Sequence, residues 1–184
     1  MEHFYQNIQG WFIYHSIYDV AAQTFPSGSH FVEVGSWRGR STAYMAVNII
    51  NSGKDIKFDC VDTWRGSLDE EVHQTDPSVV NDTLYDEFLN NMAPVRHVIN
   101  PVRMTSMEAV KLYEDNSLDF VLIDGSHAYE DVCNDITEWL KKIKPGGMLA
   151  GDDFVWEGVN RAVKELLPSA DIIPDIGCYV YIKR

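Results

Sequence analysis

The sequence predicts an α/β protein built on a doubly wound, mostly parallel sheet. Strand-like and helix-like runs alternate along the chain, and such alternation returns successive strands to one sheet through covering helices. Leu118–Ile123 is a nearly continuous apolar run, as expected of a parallel strand covered on both faces. Acids also sit where predicted strands end, at Asp62, Asp124, Asp152 and Asp153. In doubly wound sheets, ligands bind at those carboxyl ends, where strand order reverses.

The elements follow in order. Residues 4–22 carry Phe4, Ile8, Trp11, Ile17 and Ala21 in a helical rhythm, ended by Pro26 and Gly28. Strand one covers about residues 30–34. The helix after Gly39 reaches about Ile50 and is closed by Asn51-Ser-Gly53. Ile56–Val61 is a second strand, ending at Asp62. Residues 64–80 form an acidic, poorly patterned loop in which Asp76-Pro77 can start a short helix. Asn81–Met92 reads as a helix with Leu84, Phe88 and Leu89 on one face. Val95–Val102 holds a third strand limited by Pro101, and Ser106–Tyr113 a short helix. After the fourth strand at 118–123, Tyr129–Ile143 is a helix stopped by Pro145-Gly-Gly147. Met148–Ala150 is a fifth strand, and Asn160–Leu167 a helix ended by Pro168. Asp171–Ile173 and Tyr179–Ile182 lie close enough in sequence to pair as a hairpin.

At 184 residues the chain suits one domain with a full core. Its 28 acids against 15 bases give a formal charge of −13, which argues against nucleic-acid or anionic-membrane partners. Cys60, Cys133 and Cys178 make an odd count without a C-x-x-C pair, and read as reduced residues of a cytoplasmic protein. No basic segment followed by an apolar run marks a signal peptide, and no apolar run reaches transmembrane length. The oligomeric state is left open, a homodimer included.

The first strand ends in a glycine loop. Glu33, Gly35 and Gly39 fall in the spacing E-x-G-x-x-x-G. Glycines there let backbone pass close to a ligand, and the following helix start offers unpaired N–H groups. A dinucleotide fingerprint wants G-x-G-x-x-G. Bulky Trp37 and Arg38 follow Gly35 instead, which favours a ligand without a pyrophosphate, such as S-adenosylmethionine.

Glu33-Val-Gly35-Ser-Trp-Arg-Gly39, with Asp62 ending strand two, resembles a class I S-adenosylmethionine-dependent methyltransferase. The run from Asp119 to Val132, which contains Asp124-Gly-Ser-His127, carries the resemblance further. So does the run from Lys144 to Phe154, which contains Asp152-Asp153. Both resemble the small-molecule branch that includes macrocin O-methyltransferase and cephalosporin hydroxylase-like proteins, over about residues 30–155. The resemblance implies a Rossmann-like sheet of seven strands with the last antiparallel, and methyl transfer to a small-molecule acceptor, at oxygen. It implies cofactor contacts from Glu33, Gly35, Ser36, Gly39 and Ser41 around the methionine part, and from Asp62 to both ribose hydroxyls. Ser106 and Met107 would hold the adenine, and Asp124 would border both cofactor and acceptor. It further implies Mg²⁺ at Asp124, Asp152 and Asp153, and His127 as general base.

Purely structural roles are open for the same residues: Ser41 as a helix cap, Met107 as core, His127 as a structural histidine, the aspartates as caps and solvated acids. Tyr129, Asp135 and Trp139 read as scaffold. Residues 64–94 read either as a lid, with Trp64 and Tyr85 beside Asp69, Glu70, Glu71 and Asp76, suited to a polar or cationic acceptor, or as a solvated face with a small helix. The competing functions are an NAD(P)-dependent oxidoreductase, disfavoured by the missing G-x-G, and a cofactor-binding regulatory protein without turnover.

Overall fold

A computed structural model of the chain describes residues 1–67 and 70–184. In chain order the helices and strands are α1 (His15–Thr24), β1 (His30–Val34), α2 (Arg40–Ser52), β2 (Lys57–Asp62), α3 (Glu71–Thr75), α4 (Pro77–Val80), α5 (Leu84–Asn91) and β3 (Ile99–Arg103). Then follow α6 (Ser106–Ala109), β4 (Leu118–Ile123), α7 (Tyr129–Lys142), β5 (Ile143–Gly151), α8 (Glu157–Leu166), β6 (Asp171–Ile173) and β7 (Cys178–Ile182). They build one seven-stranded sheet of order β3-β2-β1-β4-β5-β7-β6. β1 to β5 run parallel, and β7 is antiparallel to both β5 and β6. The expected doubly wound sheet with an antiparallel last strand is therefore observed.

Successive side chains of a strand point to opposite faces. Phe31 and Phe120 accordingly join a core under α1 and α2, whereas Val32 and Val121 join a second core under α7 and α8. α7 keeps Val132, Ile136 and Trp139 on its buried side. Its acids Glu130 and Asp131 lie in the first turn and Lys141 and Lys142 in the last, matching the helix dipole.

The register sets the site. Val34 pairs with Val61 and with Ile123, and Ile123 pairs with Gly151. The residues one step further, Gly35, Asp62, Asp124 and Asp152, therefore leave the sheet level with one another. The strand order reverses between the parallel neighbours β1 and β4, which is the switch point of the sheet.

Several elements differ from expectation. Residues 4–22 are not one helix: a 3-10 turn at Tyr5–Asn7 is followed by Gly10 at φ +145° and an extended stretch before α1. The helix starting at Asp76-Pro77 and the helix within 81–92 are observed as α4 and α5, with Leu84 and Phe88 in the core, and the poorly patterned stretch before them adds α3. Trp64 is fully buried against Tyr85 and Phe88, so it is core and no cover. Asp69 lies outside the described residues. The third strand starts only at Ile99, because Ala93–Val95 forms a 3-10 turn. Pro101 is tolerated inside β3 because β3 is an edge strand. Pro145-Gly-Gly147 does not stop the helix but lies within β5, at a register shift opposite Leu118–Phe120. Cys60, Cys133 and Cys178 are all thiols. Among the described residues no helix is long and apolar enough to cross a membrane.

Candidate active site

The β1–α2 loop is held by acids on both sides. Gly35 has φ +92°, and a Cβ there would lie 1.7 Å from the backbone oxygen of Asp124. Only glycine lets the loop cross the end of β4 so closely. The Ser36 and Trp37 amides donate to Asp62 Oδ2 at 2.9 and 2.8 Å, and the Trp64 amide donates to Oδ1 at 2.7 Å. Burial pushes the Asp62 carboxyl above its ordinary range, against these three bonds to its ionised form.

Glu33 lies beneath the loop, fully buried. It accepts from Tyr18 Oη at 2.6 Å, from Ser36 Oγ at 2.9 Å and from the Thr42 hydroxyl. It is not among the residues that line the cavity above, so the geometry makes it an anchor of the loop where a direct contact to the cofactor ammonium had been expected. Gly39 differs likewise. It caps α2 at φ +89°, and a Cβ on it would meet Met92 Cε at 2.7 Å, so its bareness serves packing against α5.

Above the strand ends opens a cavity of about 840 Å³. Gly35, Ser36, Ser41 and Asp62 line one part, with Ser106 and Met107 after β3 beside them. Asp124, His127, Asp152 and Asp153 line the part over β4 and β5. The structure thus brings the expected site residues into one cavity, Glu33 and Gly39 excepted. Among the described residues seven carboxylates line it, those of Asp62, Glu70, Asp124, Asp131, Asp135, Asp152 and Asp153, against the single guanidinium of Arg40. Such a wall favours ligands carrying positive charge or several hydroxyl donors.

Asp124, Asp152 and Asp153 each bring one oxygen to within 4.8 Å of the others. Asp124 accepts from Tyr14 Oη at 2.8 Å. Burial and the neighbouring carboxylates of Asp152 and Asp153 push Asp124 well above its ordinary range. Burial also raises Asp152, opposed by the Cys178 thiol and the Asp153 amide. Asp153 takes φ +59°, a strained conformation for a residue with a Cβ, and accepts from His127 Nε2 at 2.9 Å. Trp156 stacks on the imidazole, rings 4.5 Å apart and 13° from parallel, and Glu70 lies 3.7 Å from Nδ1. A recess of about 10 Å³, water-sized, lies among these carboxylates, and Tyr179 lines it with a buried hydroxyl that has no hydrogen-bond partner among the described residues.

Asp135, read from the sequence as scaffold, lines the cavity. It accepts from the Ser106 hydroxyl, which in turn accepts from the Trp139 indole at 2.8 Å. Burial raises its carboxyl to about 6. A carboxyl raised on folding contributes stability that is complete below its unfolded value and lost as pH rises through the folded one. Stability should therefore fall between about pH 4 and pH 6. Asp135→Asn, which can still accept from Ser106, should remove that fall and stabilise the protein at pH 7 by on the order of 2 kcal/mol. Urea unfolding at pH 4.5 and pH 7 measures it, and an unchanged pH dependence would remove Asp135 as its source.

Sequence reasoning missed Tyr14, Tyr18 and Arg38. Arg38 is buried and bonds Asp76, Ser78, Glu87 and Gln9, so the glycine loop is tied to α4, α5 and the N-terminal segment. A buried arginine needs carboxylate partners, and Asp76 and Glu87 stand within an acidic stretch, but nothing in their spacing assigns the pairing.

With this geometry the comparisons agree. A profile of the methyltransferase-domain family matches residues 32–154, from β1 to just past β5. The chain belongs to this methyltransferase-domain family. The matched span of the methyltransferase domain holds the glycine loop, Asp62 and the whole carboxylate cluster. Among solved structures the domain is similar to the O-methyltransferase NovP, with TM-score 0.70 and 18% identity over 92% of this chain and 77% of that one. It is also similar to SMU.1697c from Streptococcus mutans, described as a candidate methyltransferase and solved with S-adenosylhomocysteine. That match has TM-score 0.61 and 10% identity over 94% of this chain and 97% of the other. An uncharacterised Sinorhizobium fredii protein, y4gI, is 28% identical over 124 residues. The match covers 66% of the methyltransferase chain and only 13% of that relative's length.

Proposed function

We propose that this domain transfers the methyl group of S-adenosylmethionine to an oxygen of a small-molecule acceptor. The observation that carries the proposal is a single cavity with two unlike ends. One end has the glycine loop, Asp62, Ser106 and Met107 over β1, β2 and β3. The other has three carboxylates and a carboxylate-paired histidine over β4 and β5.

The residues fit the cofactor. The volume suits a nucleoside with a side chain together with a small acceptor. Asp62 stands at the end of β2 with three acceptor positions taken by loop amides, which leaves room for a ribose hydroxyl to donate, and Ser106 and Met107 border the space beside it. The carboxylate-rich wall offsets the charge of a sulfonium. When bound, S-adenosylmethionine supplies an electrophilic methyl group. The residues also fit a hard divalent cation, since Asp124, Asp152 and Asp153 offer oxygen donors only. Such a cation would supply Lewis-acid charge that acidifies an acceptor hydroxyl.

The chain's own residues do the rest. Tyr14 fixes the Asp124 carboxylate, and the Asp153 amide and Cys178 thiol fix that of Asp152. In this reading the His127 imidazole, held by Asp153 at Nε2 and with Glu70 3.7 Å from Nδ1, is the base beside the acceptor. Trp156 holds the ring plane, so the acceptor oxygen meets a base of fixed direction.

Calorimetry tests the cofactor end. S-adenosylhomocysteine should bind and NAD should not. Asp62→Ala should weaken the binding by about 1–3 kcal/mol, through lost bonds to the ribose and a loosened loop. Binding of NAD alone would replace methyl transfer with redox chemistry. Unchanged affinity in the variant would take Asp62 out of the site.

A further inference from the structure

Arg38 and Arg40 flank Gly39 at the end of the glycine loop, and their surroundings differ. Arg38 is paired with Asp76 and Glu87. Arg40, the first residue of α2, has no carboxylate partner among the described residues. It donates only through Nη1, to the carbonyls of Ile8 at 3.2 Å and Gly10 at 3.1 Å. Its buried Nε has no partner. A partly buried guanidinium normally has an anion beside it or a full set of hydrogen bonds, because removing its charge from water is costly. In a chain of formal charge −13 the missing counter-ion is not for want of carboxylates.

Arg40 lies on the cavity wall. A Cβ on Gly10 would lie 3.5 Å from Trp37 Cδ1 and 3.6 Å from Arg40 Cβ, so the N-terminal segment, the glycine loop and the start of α2 meet there. Trp37 belongs to the loop whose amides hold Asp62. Arg40 therefore borders the cavity from the glycine-loop side.

The rest of the cavity repels anions. Among the described residues that line it, seven are carboxylates, none is a lysine, and Arg40 is the one arginine. The two histidines have partners of their own: His127 has Asp153, and His73 Nδ1 accepts from the Ser67 amide at 3.1 Å. An anionic group on a ligand is favoured only at the wall that carries Arg40.

S-adenosylmethionine carries such a group at the end of its methionine tail. We infer that Arg40 binds the α-carboxylate of that tail and so sets the direction in which the tail leaves the ribose. The two carbonyls on Nη1 fix the guanidinium and leave Nη2 for the ligand. This inference rests on the methyl-transfer reading, which puts S-adenosylmethionine in the cavity.

The test compares two ligands by calorimetry. One is S-adenosylhomocysteine. The other is its decarboxylated analogue S-adenosyl-3-thiopropylamine, which keeps the ammonium and lacks the carboxylate. Wild type should bind S-adenosylhomocysteine more tightly by about ten-fold or more, the effect of one charge-assisted bond. Arg40→Met should weaken S-adenosylhomocysteine by the same factor and leave the amine unchanged, so that the preference disappears. Unchanged amine binding also shows that the variant is folded. Arg40→Lys should recover part of the preference, as a cation without the planar fork. Equal binding of the two ligands by wild type overturns the assignment, and so does a preference that survives in Arg40→Met. Equal weakening of both ligands in Arg40→Met overturns it too, since it makes Arg40 a tie for the N-terminal segment. Failure of both ligands to bind wild type is a distinct outcome, and it overturns the methyl-transfer reading together with the assignment.

Discussion

Gly35→Val should abolish measurable cofactor binding and destabilise the fold at the same time. The added Cβ would lie 1.7 Å from the Asp124 backbone oxygen, and backbone cannot step aside as a flexible side chain can. A β-branched residue at φ +92° adds strain of its own. The loop would have to leave the end of β4, breaking the Ser36 and Trp37 bonds to Asp62. The expected loss is at least about 3 kcal/mol of stability in urea unfolding. Gly53→Ala is the control. Gly53 also has positive φ, but nothing lies within 4 Å of its Cβ position. That change should cost about 1 kcal/mol and leave binding intact. A Gly35→Val protein with normal stability and normal affinity would show that the close crossing of β1 and β4 is not what shapes the site.

Chelation should abolish turnover while leaving S-adenosylhomocysteine binding nearly unchanged. The two separate because Asp62, Ser106 and Met107 serve one end of the cavity and the carboxylate trio the other. Mg²⁺ should restore activity, and Asp153→Asn should raise the concentration required by about ten-fold or more, since it removes a charged hard ligand. That variant also weakens the partner of His127. His127→Ala supplies the distinction: it should lower kcat by about 10²–10⁴-fold at saturating Mg²⁺ without moving the Mg²⁺ requirement. Full activity in excess chelator would remove the cation and leave His127 with its aspartate as the whole proton-handling apparatus.

Much of this was legible in the sequence for definite reasons. β1 and β4 are dense apolar runs and fall at 30–34 and 118–123 as expected, because strands buried on both faces admit little else. The four strand-end acids were visible because the turn that follows each strand is short, so position in sequence is position at the sheet edge. What failed had local pattern overridden by tertiary contact. Phe4, Ile8 and Trp11 keep the spacing of a helix, yet residues 11–14 alternate with period two because Tyr14 is drawn down to Asp124. Trp64 looked like a lid residue in an acidic stretch. Its indole N–H instead reaches the Trp37 carbonyl at 2.8 Å, a bond across 27 residues that no local rule announces. Glu33 and Gly39 sat in the right motif, but which way each faces depends on Tyr18, Thr42 and Met92, all brought in from elsewhere.

The most direct measurement is a crystal structure of the protein grown with S-adenosylhomocysteine and Mg²⁺. Methyl transfer in this cavity requires the ribose at Asp62, the adenine beside Ser106 and Met107, and the thioether sulfur pointing along the cavity toward Asp124 and His127. If the carboxylate trio serves a cation, one would be held at Asp124, Asp152 and Asp153. A ligand bound with its sulfur turned away from that cluster, or bound outside the cavity altogether, would contradict methyl transfer in this cavity.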